Sequence, residues 1–301
     1  MGTTGESPTL NWGRAQTASS KKWPKIKNKC TCIAGTGSNN TATFCHGTCR
    51  SGRRGCGAAG GPLLQWSQFP GNSKEYVAPA LQFPSLDIIP YVIPGRTGAQ
   101  LLPEDLAILA ENFENVRTVK EATGSLDNMR KPEKCCGSDY VILSGDDGYH
   151  IQNDDRSGHQ GAGVISVVSN IAPKSVTEMV ALLVKGETAE AEKRFQALAP
   201  LFNLVTVKTR EKTPYGEVDC RARNPLALKT LMNILGMPSG PCRRPLGKMM
   251  KNGVDTVLAA VRQTQASHPE ILAPVANFFI VDIDKRINTP ALRGAVLFGS
   301  Y

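Results

Sequence analysis

From residue 85 onward the chain alternates short apolar runs with stretches of helical period, the pattern of a parallel α/β sheet. Residues 87–94 (DIIPYVIP) read as a buried strand that Pro94-Gly95 breaks. Residues 102–113 (LPEDLAILAENF) space their apolar positions for one helix face, with Pro103, Glu104 and Asp105 suited to a first turn. Further strand signals follow at 116–122 (VRTVKEA), 140–144 (YVILS) and 163–169 (GVISVVS). The four lie a little over twenty residues apart, the pitch of repeated β-loop-α-loop units. They predict part of a (β/α)8 barrel.

After Pro173 the strand signals stop. Residues 175–184, 188–201, 225–235 and 254–266 carry helical periodicity, so the chain divides into residues 1–172, a barrel, and 173–301, C-terminal helices and a tail. The tail from Leu272 is apolar enough to pack but matches no element. The N-terminal third behaves differently. Residues 30–34 (CTCIA) suit a strand, whereas 46–62 hold six glycines and no apolar stripe and predict a loop.

Composition narrows the classes. At 301 residues, 41% hydrophobic, the chain is long enough for a large buried core. No run approaches the roughly 18–20 apolar residues of a membrane helix. The start, MGTTGES, lacks a secretory pattern and places Glu6 where myristoylation wants Ser or Thr. A cytoplasmic protein is the expectation. Nine cysteines are sparse and odd in number, which fits reduced thiols. Cys45, His46, Cys49 and Cys56 lack the second half of a zinc motif, so no metal is expected. The net charge of +9 is concentrated in residues 1–60, where nine Lys and Arg face Glu6 alone. These charges follow no groove-reading pattern, which favours a solvated face over a nucleic-acid site.

Chemistry collects at the ends of the expected strands, the face on which barrel enzymes keep their active sites. There lie Tyr91 with Pro94-Gly95-Arg96-Thr97-Gly98, then Lys120-Glu121-Ala122-Thr123-Gly124, then Gly145-Asp146-Asp147. A lysine in an apolar strand is costly to keep charged, so burial would free its amine as a nucleophile suited to a Schiff base. Pairing with Glu121 or Asp146 is an equal alternative. Arg96 could clamp a carboxylate or pin its own loop, and Tyr91 could carry protons or be core.

The combination GTTGES (2–7), AGTGSNNT (34–41), PGRTG (94–98), VKEATG (119–124), LSGDD (143–147), GVISVVSN (163–170) and NPLALK (224–229) is far more specific than its parts. In this order the motifs resemble the pyruvate-dependent class I aldolase/lyase family and, through the arginine of PGRTG, its dihydrodipicolinate synthase group. The resemblance implies a homotetrameric α/β protein, a (β/α)8 TIM barrel with a C-terminal helical domain. It implies a lyase of lysine (diaminopimelate) biosynthesis that condenses pyruvate with aspartate semialdehyde to 4-hydroxy-tetrahydrodipicolinate, without a cofactor. It assigns Lys120 to the pyruvate imine, Tyr91 and Thr3 to a proton relay, and Thr4 to the pyruvate carboxylate. Arg96 would hold the semialdehyde carboxylate, and Ile165 would offer its main-chain carbonyl beside the bound pyruvate. Another 2-oxo acid aldolase, or an inactive barrel relative, remains the alternative.

Departures from the family are local. Met1 abuts GTTGES, so a barrel truncated at its N-terminus, without the family's first strand, is expected. Where the family has Pro-Tyr-Tyr-Asn, whose second Tyr completes the relay across a subunit interface, residues 64–69 read LQWSQF. Residues 13–28, 46–70 and 149–160 have family length and foreign composition, as local reading-frame errors would produce. Around the lysine effector site of feedback-sensitive relatives, Trp12, Ala15 and Thr43 replace histidine and glutamate groups, leaving Ser7 and Asn39. The expectation is no lysine inhibition.

Overall fold

A computed structural model describes residues 33–35, 57–60, 84–98, 100–148 and 161–299. Its described residues fall into two compact units that divide between Ile165 and Ser166. The sequence pattern places the change at 172/173. By packing it comes earlier, because the 3-10 turn Val168–Asn170 packs with the helix that follows it.

The first unit is a parallel sheet of six strands in sequential order: β1 (Ala34–Gly35), β2 (Gly57–Gly60), β3 (Ile88–Val92), β4 (Thr118–Glu121), β5 (Val141–Ser144) and β6 (Gly163–Val164). A short turn, α1 (Pro94–Thr97), and a helix, α2 (Pro103–Asn112), connect β3 to β4; α3 (Leu126–Cys136) connects β4 to β5. The period-2 alternation of each strand sorts its side chains between two faces. Ile88 and Val92 of β3, Val119 of β4 and Ile142 of β5 join Leu106, Leu109 and Ala110 of α2 and Met129 of α3 in one buried cluster. The opposite face is left to the alternate residues. At the start of α2, buried Asp105 accepts a hydrogen bond from Leu102 N (2.9 Å), tying off one of the helix's unsatisfied amides.

Two expectations are corrected here. Residues 57–60, inside the glycine-rich stretch read as a loop, form β2, with parallel partners on both sides. A ladder is made by the backbone, so a strand flanked by two others needs no apolar side chains to be held. The strand signal at 163–169 shortens to Gly163–Val164.

The second unit is mainly helical: α4 (Pro173–Val184), α5 (Thr188–Phe202), α6 (Leu226–Ile234), α7 (Lys251–Ser267), α8 (Ala273–Phe279), α9 (Ile283–Asn288) and α10 (Pro290–Val296). The unassigned tail is therefore three helices. Against the expectation of helices alone, β7 (Thr206–Thr213) and β8 (Gly216–Arg223) form an antiparallel hairpin. Its strands are too charged to carry an apolar strand signal. Buried Glu211 anchors it, accepting from Asn252 N (3.1 Å) and Gly253 N (2.9 Å) at the start of α7 and from Thr209 Oγ1 (2.9 Å). A carboxylate in that position satisfies orphan amides and meets the positive end of the helix dipole.

Candidate active site

The sequence Val-Lys-Glu on β4 sends Val119 and Glu121 to one face and Lys120 to the other. The register then sets Lys120 beside Tyr91 of β3 and Leu143 of β5. The Lys120 Nζ lies 3.8 Å from the centroid of the Tyr91 ring, within the range of a cation–π contact. Two residues about thirty apart in sequence meet because β3 and β4 are adjacent parallel strands.

Burial pushes the Lys120 ammonium down from 10.5 to about 8; the charges of Asp146 and then Asp147 oppose this without cancelling it. Burial raises the Tyr91 phenol to about 12, with Asp146 adding to the rise and Arg96 opposing it. At neutral pH the phenol therefore holds its proton while a fraction of the amine is free. Asp146 itself is raised by burial, with Lys120 pulling the other way.

Of the two acids weighed as partners for the lysine, Glu121 takes no part. It is buried on the other face and accepts from Thr123 N at 2.6 Å. Burial raises its carboxyl from 4.5 to about 7, against the hydrogen bonds from Thr123. That bond starts a chain through the β4–α3 loop: Thr123 Oγ1 accepts from Ser125 N (3.2 Å) and Asn128 Nδ2 (3.2 Å), and Ser125 Oγ caps α3 by accepting from Asn128 N (3.4 Å). Among the described residues Lys120 makes no ion pair.

Gly145 allows β5 to end against this group. A Cβ on it would lie 2.5 Å from Ala122 Cβ and 3.1 Å from both Lys120 Cε and the Glu121 carbonyl oxygen. Its amide donates to that carbonyl at 2.6 Å. Ser144 Oγ, bonded to Asp146 O (2.8 Å) and receiving Asp146 N (3.2 Å), folds the following turn so that Asp146 acts on Lys120 and Tyr91. Ile165, just past β6, donates its amide to Ser144 O at 2.8 Å. Half-buried Arg96 sits in α1, which Thr97 Oγ1 fastens by bonding Ile93 O (3.1 Å) and Gly98 ends in the left-handed region (φ 71°).

The structure thus brings Tyr91 and Lys120 into contact, with Arg96 and Asp146 acting electrostatically on them. Ile165 stands two strands beyond β4. Thr3, Thr4, the cysteine–histidine group at 45–56, residues 64–69 and the windows 13–28 and 149–160 lie outside the described residues. Sequence reasoning named Glu121 and Gly145 but not the parts they play, Glu121 bonding the loop after β4 and Gly145 letting β5 end against Lys120. No group of three or more metal-ligating side chains occurs among the described residues, and none of their helices is long and apolar enough to cross a membrane.

Comparison with known proteins gives this geometry its context. The model of the dihydrodipicolinate synthetase family matches residues 1–264. The 4-hydroxy-tetrahydrodipicolinate synthase of Endomicrobium trichonymphae is 34% identical over 255 residues, covering 82% of this chain and 79% of that protein. That of Heliobacterium modesticaldum is 30% identical over 269 residues, covering 89% and 82%. Among solved structures, the enzyme of the same name from Methylacidiphilum fumariolicum SolV superposes with a TM-score of 0.78 at 28% identity, over 92% of this chain and 86% of that one. A chloride-inhibited dihydrodipicolinate synthase from Acinetobacter baumannii, complexed with pyruvate, gives 0.75 at 25%, over 87% and 84%. The fold is therefore a (β/α)8 barrel with a C-terminal helical domain, and the protein is an enzyme of the lyase class. The chain belongs to the dihydrodipicolinate synthetase family.

Proposed function

We propose that the chain is a Schiff-base lyase that condenses pyruvate with aspartate semialdehyde to 4-hydroxy-tetrahydrodipicolinate, in lysine (diaminopimelate) biosynthesis. The observation that carries this reading is the half-buried Lys120 amine, lowered to about 8 and seated on the Tyr91 ring. The neutral amine attacks C2 of pyruvate, and loss of water from the carbinolamine leaves the imine. Removal of a C3 proton gives an enamine, whose carbon attacks the aldehyde of the second substrate; that substrate's own amine then adds to C2 and expels the Lys120 amine, which closes the ring and frees the enzyme. Tyr91, protonated at neutral pH, gives and takes protons in these steps, together with Thr3. Thr4 holds the pyruvate carboxylate, the Ile165 carbonyl lies beside it, and Arg96 takes the carboxylate of the semialdehyde as a fork. No cofactor enters; the covalent imine on Lys120 does the activating. A homotetramer in the cytoplasm is the working form.

The test is mass spectrometry after pyruvate and borohydride. The parent gains a reduced pyruvyl group on Lys120. Both Lys120→Ala and Lys120→Arg lose it with an unchanged circular dichroism spectrum, since a guanidinium stays protonated. Tyr91→Phe still traps pyruvate, more slowly by about 10²–10⁴. A folded parent that never traps pyruvate refutes the reading.

A further inference from the structure

The match to the family ends at residue 264, but the chain continues through α8, α9 and α10. These helices fold back onto the family's own part of the second unit. Arg286 of α9 donates to Ile234 O (2.6 Å) and Asn233 O (3.1 Å), closing the open carbonyl end of α6. Its guanidinium lies so close to Gly236 that a Cβ there would meet it at 3.1 Å. Arg262 of α7 reaches Ile287 O (2.8 Å) and Asn288 Oδ1 (3.2 Å), and Phe298 N bonds Met249 O (2.9 Å). Arg293 of α10 pairs with Asp255 of α7. The extension is thus tied down at several separate points.

Between α10, α6 and the segment 240–248 these ties leave a cleft of about 270 Å³. Leu226 of α6 with Leu292 and Val296 of α10 make its walls largely apolar, and Lys229 and Lys248 bring two cations. None of its described lining residues is acidic. The segment opposite α6 is held by three hydrogen bonds: Lys229 Nζ to Pro241 O (3.0 Å), Asn233 Nδ2 to Gly240 O (2.9 Å) and Ser239 Oγ to Lys229 O (3.2 Å). Lys229 is half-buried and engaged in these bonds, so the exposed cation at the cleft is Lys248. Lys248 is exposed at the rim, and Arg243 and Arg244 on the same segment add to the positive field.

We propose that this cleft, whose third wall is the extension, binds a small organic anion with an apolar body, of the monocarboxylate class. The apolar walls take the body and Lys248 at the rim takes the carboxylate. The volume sits just under the ~300 Å³ at which pockets for drug-sized ligands begin, which suits a fragment-sized molecule. A cleft shaped before the ligand arrives does not charge the ligand for ordering the protein. The site is independent of the barrel chemistry.

The probe is 4-fluorophenylacetate, followed by fluorine NMR on the full chain, with neutral 4-fluorophenylacetamide alongside. The parent binds the anion saturably with Kd around ~1 mM, and the amide at least ~10-fold more weakly. Lys248→Glu weakens the anion at least ~10-fold, whereas Lys248→Arg stays within ~3-fold. Ala295→Phe, placed on the exposed side of α10 that lines the cleft, removes binding by filling it. All variants are checked by circular dichroism and for unchanged pyruvate trapping. No saturable binding by the folded parent below ~20 mM, or binding that Lys248→Glu and Ala295→Phe both leave unchanged, overturns the proposal.

Discussion

Asp146→Asn gives the sharpest test of the site's electrostatics. In the parent, burial lowers Lys120 to about 8, and Asp146 is the largest charge holding it up. At that value about one amine in ten is neutral at pH 7. Removing the carboxylate while keeping its shape leaves burial less opposed, so the amine becomes more acidic. With no ion-pair contact between the two groups, a change of about one pKa unit, ~1.4 kcal/mol, is the scale expected. The neutral fraction at pH 7 then rises to about a half. The assay is the initial rate of borohydride-trapped adduct at subsaturating pyruvate, from pH 6 to 9. The rising limb of the profile, centred near 8 in the parent, moves toward acid, and trapping at pH 7 speeds up about fivefold. Tyr91 does not confuse the result, because its phenol stands at about 12 and keeps its proton across the window when Asp146 is lost. A limb that stays where it was, or moves toward alkali, refutes the argument that Asp146 sets the amine.

Three further outcomes follow from the same geometry. Glu121 keeps its proton in the folded chain up to about 7 but loses it near 4.5 when unfolded, so stability falls as pH rises through that window, by on the order of 3 kcal/mol; Glu121→Gln flattens the fall, as urea midpoints measured from pH 4.5 to 7.5 would register, and an equal slope in both proteins would count against it. Gly145→Ala forces a Cβ to 2.5 Å from that of Ala122 and against Lys120 Cε, costing about 1–3 kcal/mol and slowing pyruvate trapping in proportion to the displaced amine; a variant as stable and as fast as the parent contradicts the close approach. Lysine at millimolar concentration leaves condensation unaffected, because on the family resemblance Trp12, Ala15 and Thr43 stand where feedback-sensitive relatives carry histidine and glutamate, and an ammonium ligand would lack its carboxylate partner; half-inhibition below about 1 mM, some 4 kcal/mol of binding, would reverse that expectation.

Much of the first unit was legible in the chain itself. The strands at 87–94, 116–122 and 140–144 are short runs rich in apolar and β-branched residues, as parallel strands covered on both faces require, and the structure trims them by only a few residues. Helix α2 was equally plain, since its apolar residues repeat at helical spacing and Pro103 marks its first turn. What the tertiary structure alone decided is everything that depends on a neighbour. The backbone of 57–60 becomes a strand only because β1 and β3 supply its partners. The hairpin is charged along both strands, so its signal was hidden until Glu211 found the amides of α7. In the site, the sequence by itself determined that a lysine stands in an apolar strand, and pairing with Glu121 stayed open until β4 formed and put the two on opposite faces. It did not determine the lysine's acidity. Of the two candidate acids, Glu121 is adjacent in the chain yet bonds its own loop, while the charge of Asp146, a strand away, acts on the amine. Sequence distance sets which face a side chain takes, and only the packed strands set how much water and which charges surround it.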